Sequence, residues 1–156
     1  MKKGDLFPRE GRGLDRTAVF VIEGQCPSKK NRHVIRRNKA GRTWIAPDSD
    51  YQRWEEQASW EVRAQAMAQG VPLINKPVWS KVLITRIIER PTAIPDFLNL
   101  VQSVDDVLEA AGVVENDNLI RCYDGSRYRL IKPGEGVPRI KIILSPFSEE
   151  VPDEKW

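Results

Sequence analysis

At 156 residues, with 40% hydrophobic and 30% charged residues and a formal net charge of +3, the chain is sized for one domain with its own core. No apolar run is long enough to span a bilayer and the N-terminus has no signal-peptide pattern, so a cytoplasmic protein without a membrane segment is expected. The single histidine, His33, and the two isolated cysteines, Cys26 and Cys122, argue against zinc and for reduced thiols, so any metal must be held by oxygen.

Residues 1–15 are polar and rich in glycine and charge, and read as a disordered leader to a domain over 16–146. Thr17 to Gly24 predicts a strand. The cations Lys29, Lys30, Arg32, Arg36, Arg37, Lys39 and Arg42 then follow with no acid between them. Such a segment can bind phosphates even in a molecule near neutrality, and its plainer reading is a solvated loop. His33–Arg37 and Arg42–Ala46 predict a hairpin around residues 38–41, which places the cations on a loop and a ribbon.

Residues 47–50 carry a helix start signal and Gly70 a stop signal. Tyr51, Trp54, Ala58 and Val62 follow helical spacing, and Trp60, Ala64 and Met67 form a second apolar row. The helix is either buried on two faces or presents one of them to another subunit. Val78 to Glu89 is apolar on both faces and predicts a central strand. Arg90–Pro95 is a rigid connection to a helix that starts at Asp96 and ends near Gly112. Leu119–Ile131 and Val137–Leu144 predict two more strands, and residues 147–156 an acidic tail. The order predicts an α+β fold, a mixed sheet with two main helices.

An α-helix turns about 100° per residue. Phe97, Leu100, Val101, Val104, Leu108 and Ala111 then share a face for the sheet, and Asp96, Asn99, Gln102, Ser103 and Asp106 fall opposite. Asp96 and Asp106 are about three turns apart and need groups between them to hold one ion; Asp117, in the following loop, is a candidate. Asp96 also fits a helix cap, Asp106 a solvated helix position, and residues 116–118 a turn.

Together these residues resemble the RusA-type Holliday-junction resolvases of bacteria and phages, whose pattern is roughly D-x-D-N-x-x-K-x-x-x-D-x-L, then a turn and an acidic pair before a strand. Asp96, Asn99, Asp106 and Leu108 match in register, and Gly112 to Ile120 matches the following stretch with Asn116 in place of the first acid. Residues 27–32 look like the family's P-x-S-K-N-R turn, and Pro47 to Trp54 like its first long helix. The resemblance runs from about Val19 to Leu144.

The resemblance implies a homodimer that grips branched DNA and hydrolyses phosphodiester bonds with Mg²⁺ or Mn²⁺. It makes Asp96, Asp106 and Asp117 the metal-site residues and Asn99 an orienting group; the cations from Lys29 to Arg42 are the candidate DNA contact by their charge. Two positions depart from the pattern: the second aspartate is Leu98 and the lysine is Gln102. Leucine cannot coordinate a metal, and glutamine brings no positive charge to a phosphate transition state. The implied site is therefore eroded. A nuclease of reduced activity and a member that binds branched DNA without cutting it both stay open, as does an unrelated interaction protein. Glu109 and Asp105 are the neighbours able to compensate, although Asp105 lies about half a turn from the carboxylate face.

Overall fold

The computed structural model describes residues 13–28 and 33–147. Among them the strands are β1 (Ala18–Glu23), β2 (His33–Arg37), β3 (Thr43–Pro47), β4 (Val78–Ile87), β5 (Ile120–Cys122), β6 (Arg127–Ile131) and β7 (Arg139–Pro146). The helices are α1 (Ser49–Gln69) and α2 (Phe97–Ala110), with short 3₁₀ turns at Pro91–Ala93 and Asp117–Leu119. The α+β arrangement expected from the sequence is what the chain adopts. Within the expected leader Leu14 is buried and joins the core. Residues 1–12 of that leader, Lys29, Lys30 and Arg32 of the basic segment, and residues 148–156 of the acidic tail lie outside the described residues.

The sheet runs β1-β7-β4, with β5 and β6 both on the far side of β4. β7 is antiparallel to β1 and to β4, whereas β5 and β6 pair parallel to β4 at its two ends. β4 is thus central. Alternation decides which side of the sheet is covered: Val78, Val82 and Ile84 of β4 are buried with Ile140, Ile142 and Leu144 of β7 and with Phe20 and Ile22 of β1. Burying these side chains at about 25 cal/mol per Å² is the main source of stability.

Patterning predicts one strand over Leu119–Ile131, and the structure breaks it. Gly125, at φ +77°, turns the chain at residues 123–126, and the Ser126 Oγ accepts from the Val82 N–H at 2.9 Å between the two ladders. A side chain is strained at such a φ, so glycine is needed there.

Local signals set α1. Asp48 caps it by accepting from the Asp50 N–H at 2.9 Å, and Gly70 ends it in the left-handed region at φ 64°. Its buried row is Tyr51, Ala58, Val62 and Ala66, while Trp60, Ala64 and Met67 are exposed, so within one chain the helix is not buried on two faces. Gln65 and Gln69 seal the β1 edge. Each side-chain amide pairs with one residue of β1, Gln65 with Val21 (2.8 and 2.7 Å) and Gln69 with Val19 (3.2 and 2.7 Å). A strand edge so covered offers no template to another chain.

Candidate functional site

The candidate site is built on α2 and the segment after it. β4 leads through the 3₁₀ turn into α2, and the chain returns in β5 parallel to β4, so α2 is the crossover of a parallel unit. Arg63 of α1 donates to the Ala110 and Ala111 carbonyls (3.0 and 3.3 Å) and so satisfies orphan acceptors at the α2 C-terminus. These hydrogen bonds fix the helix that carries the acids.

Asp96 is the N-cap of α2: its Oδ1 accepts from the Leu98 N–H at 3.0 Å, and its side chain is exposed. Leu98 is 68% exposed and Gln102 is exposed, so the two departures from the pattern lie at the surface. Asn99 is half-buried. Ser103, expected on the polar side, is fully buried: its hydroxyl is within hydrogen-bond reach of the Pro27 carbonyl at 2.9 Å and the Asn99 carbonyl at 3.1 Å. A distant loop, invisible to helical spacing, supplies the Pro27 acceptor.

Asp106 is half-buried, and its Oδ2 accepts from the Tyr51 hydroxyl at 3.3 Å. Burial pushes the Tyr51 hydroxyl above its ordinary range, so it remains a donor. Asp117 is exposed at the start of the second 3₁₀ turn, and its backbone N–H donates to Glu109 Oε2 at 3.2 Å. Asn116 caps that turn by accepting from the Asn118 N–H at 3.0 Å.

Asp105, which helical spacing puts off the carboxylate face, is buried at 6% exposure. Its Oδ2 accepts from the Tyr123 hydroxyl at 2.6 Å. Burial pushes the carboxyl up to about 7, helped by the charges of Asp117 and Asp106 and opposed by the Tyr123 bond. Asp105, Asp106 and Asp117 therefore share one electrostatic neighbourhood. Asp96 is ten residues from Asp106, about 15 Å of helix rise, and stands apart along the helix axis. Among the described residues no three His, Cys, Asp or Glu side chains form a group that could hold an ion by themselves.

Sequence patterning misses two partners, Tyr51 and Tyr123, because each comes from another element. One signal does point to Asp105: an acid inside the apolar run from Leu100 to Leu108 is out of place on a packed face.

The basic ribbon is separate from the main sheet. β2 and β3 pair with Ile35 opposite Ile45, Arg36 opposite Trp44 and Arg37 opposite Thr43. The turn is closed by the Asn38 N–H on the Arg42 carbonyl and by Asn38 Oδ1 accepting from the Arg42 N–H, at 3.0 and 2.9 Å. Arg36, Arg37, Lys39 and Arg42 are all exposed. No helix among the described residues is long and apolar enough to cross a membrane.

Comparison with known proteins bears on this arrangement. The family described as "Endodeoxyribonuclease RusA" matches residues 25–145. The chain is also 35% identical over 114 residues to a protein of Aquifex aeolicus (strain VF5) named "Crossover junction endodeoxyribonuclease RusA", an alignment covering 73% of this chain and 81% of that protein.

Proposed function

This chain belongs to the RusA family of endodeoxyribonucleases, and on that premise we propose that it cuts phosphodiester bonds in four-way DNA junctions with a divalent metal, Mg²⁺ or Mn²⁺. The carrying observation is the acidic neighbourhood of α2, where Asp106 and Asp117 lie in the field of Asp105. The donor set fits a hard dication: its groups are oxygens, and one buried carboxylate oxygen, Asp105 Oδ1, has no hydrogen-bond partner among the described residues. Asp106 and Asp117 would hold the ion, while Asp96, which the resemblance also makes a metal-site residue, lies about 15 Å away along the helix axis and does not reach the same ion directly. When bound, it activates water and neutralises charge on the scissile phosphate. Mg²⁺ is usually held by one or two carboxylates plus substrate phosphates, so a protein site short of three converging acids is consistent with an ion completed by DNA.

The protein's own groups prepare the ligands. Tyr51 donates to Oδ2 of Asp106 and so orients that carboxylate. Asn99, at a half-buried position on the same helix, orients a ligand or water. Leu98 and Gln102 withhold a carboxylate and a cation, so turnover is slow. Arg36, Arg37, Lys39 and Arg42, with Lys29, Lys30 and Arg32, bind phosphates and draw the junction to the site.

We place this activity in a cytoplasmic homodimer. The exposed row Trp60, Ala64 and Met67 on α1 is the apolar surface a second copy would cover. The free thiols of Cys26 and Cys122 suit a reducing compartment. The test is cleavage of a synthetic four-way junction and of the matching linear duplex, with Mg²⁺, with Mn²⁺ and with chelator. Metal-dependent nicking confined to the junction supports the reading, and binding without cleavage under every condition refutes it.

A further inference from the structure

Asp105 stands in the interior with one oxygen bonded and the other not. Oδ2 has the Tyr123 hydroxyl at 2.6 Å, whereas Oδ1 is buried without a hydrogen-bond partner among the described residues. An unpaired buried acceptor costs about 1–3 kcal/mol, and more when it is charged. The helix around it is apolar, with Val101, Val104 and Leu108 all buried, so packing alone gives no reason for an acid here. A buried polar atom left open in this way marks a place for an ordered water or an ion.

Helix geometry says where that ligand would sit. Leu98 and Asp105 are seven residues apart, which places them within about 20° on the same stripe of α2 and about 10 Å apart along it. Glu109 continues the stripe one turn on and accepts from the Asp117 backbone N–H at 3.2 Å. Asp117 is thereby tied to the stripe that carries Asp105. The position where the family pattern has an aspartate and this chain has Leu98 is on that stripe too.

We infer that Asp105 is a metal ligand of this chain: its Oδ1 joins Asp117 in holding the divalent cation and takes over the duty that Leu98 leaves vacant, with Tyr123 as the hydrogen-bonding support of Oδ2. The inference rests on the metal-dependent reading above. Its chemistry is ordinary for a hard cation, two carboxylates with the remaining positions for water and phosphate. A hydroxyl held on the second oxygen of a ligating carboxylate is the kind of support that fixes ligand orientation. The carboxylate has therefore moved two turns along one helical stripe rather than disappeared.

The test is Mn²⁺ binding to the full-length, DNA-free protein, read by paramagnetic broadening of backbone amide signals and by calorimetry. In the wild type the amides of Asp105, Asp117 and Tyr123 should broaden first. Asp105→Asn should weaken Mn²⁺ binding by roughly 10–100-fold, and Tyr123→Phe by a smaller factor. The unbroadened regions of each variant's spectrum report that it is folded. If Mn²⁺ broadens the amides around Asp96 but spares those of residues 105–117 and Tyr123, or if Asp105→Asn binds Mn²⁺ as the wild type does, the inference fails and the nuclease reading stands. If the wild type binds no Mn²⁺ and cuts no junction with either metal, both fail together.

Discussion

The hydroxyl of Tyr123, in the residue after β5, donates to Oδ2 of Asp105 at 2.6 Å and ties the end of the strand to the acidic side of α2. The bond holds a buried acid next to Asp106 and Asp117. It couples the stability of the fold to the chemistry of the site.

Because burial raises the Asp105 carboxyl from 3.8 to about 7, its ionisation opposes folding. By linkage, the stability contribution is full below the unfolded value and is lost as pH rises through the folded one. In chelator, wild-type stability should therefore fall between about pH 4 and pH 7 relative to Asp105→Asn, by on the order of a few kcal/mol, and the difference should level off above that range. Urea unfolding of the two proteins across pH 4–8 measures it, and parallel curves would contradict the burial argument.

Tyr51→Phe removes the donor to Asp106 Oδ2 and keeps the ring. The expected stability loss is about 1 kcal/mol. Single-turnover cleavage should fall by roughly 10-fold through the freed carboxylate, with junction affinity unchanged. Equal loss of affinity and cleavage would mean that Tyr51 serves the fold and not the ligand.

Alanine at Arg36, Arg37 and Arg42 together should weaken binding to all DNA sequences. It should also reduce the salt dependence of binding, by a slope of about 1 for each phosphate that is no longer neutralised. Competition binding at several salt concentrations reads both quantities. Unchanged affinity would remove the ribbon from the DNA interface.

Leu98→Asp with Gln102→Lys restores the two groups the pattern lacks, at positions exposed enough to take charge without disturbing the core. Junction cleavage at saturating Mg²⁺ should rise by about 10-fold or more, since a cation aimed at the phosphate acts chiefly in the transition state. A rate equal to wild type would mean that Leu98 and Gln102 do not limit turnover.

In the proposed homodimer, Trp60→Glu should give a folded monomer, because Trp60 is 60% exposed within one chain and its ring meets the Arg63 guanidinium at the helix surface. Sedimentation velocity separates the two states, and a variant that sediments as the wild type does would place the dimer contact elsewhere.

What is legible in the sequence and what is hidden follow one rule. The start and stop of α1 are legible because Asp48 and Gly70 act on their own neighbours. The ribbon is legible for the same reason, through Asn38 and its turn. The central place of β4 follows from apolar residues on both of its faces. Ser103 is misplaced because helical spacing orders residues around one axis and knows nothing of Pro27, and the bond of Asp105 to Tyr123 is hidden for the same reason. The break between β5 and β6 is hidden because alternation continues through it, although Gly125 marks the turn. The carboxylates at Asp96, Asp106 and Asp117 can be named from spacing and resemblance. Their relation in space depends on the 3₁₀ turn after α2, which no periodicity describes.

The proposed junction nuclease stands or falls with a metal held by these acids. Its most direct test is single-turnover cleavage of a four-way junction in Mg²⁺ by the wild type and by Asp117→Asn, with binding measured beside it in Ca²⁺. The wild type should nick slowly and only with metal, and the variant should lose at least about 100-fold at equal junction affinity. Nicking at the same rate by both proteins would contradict it.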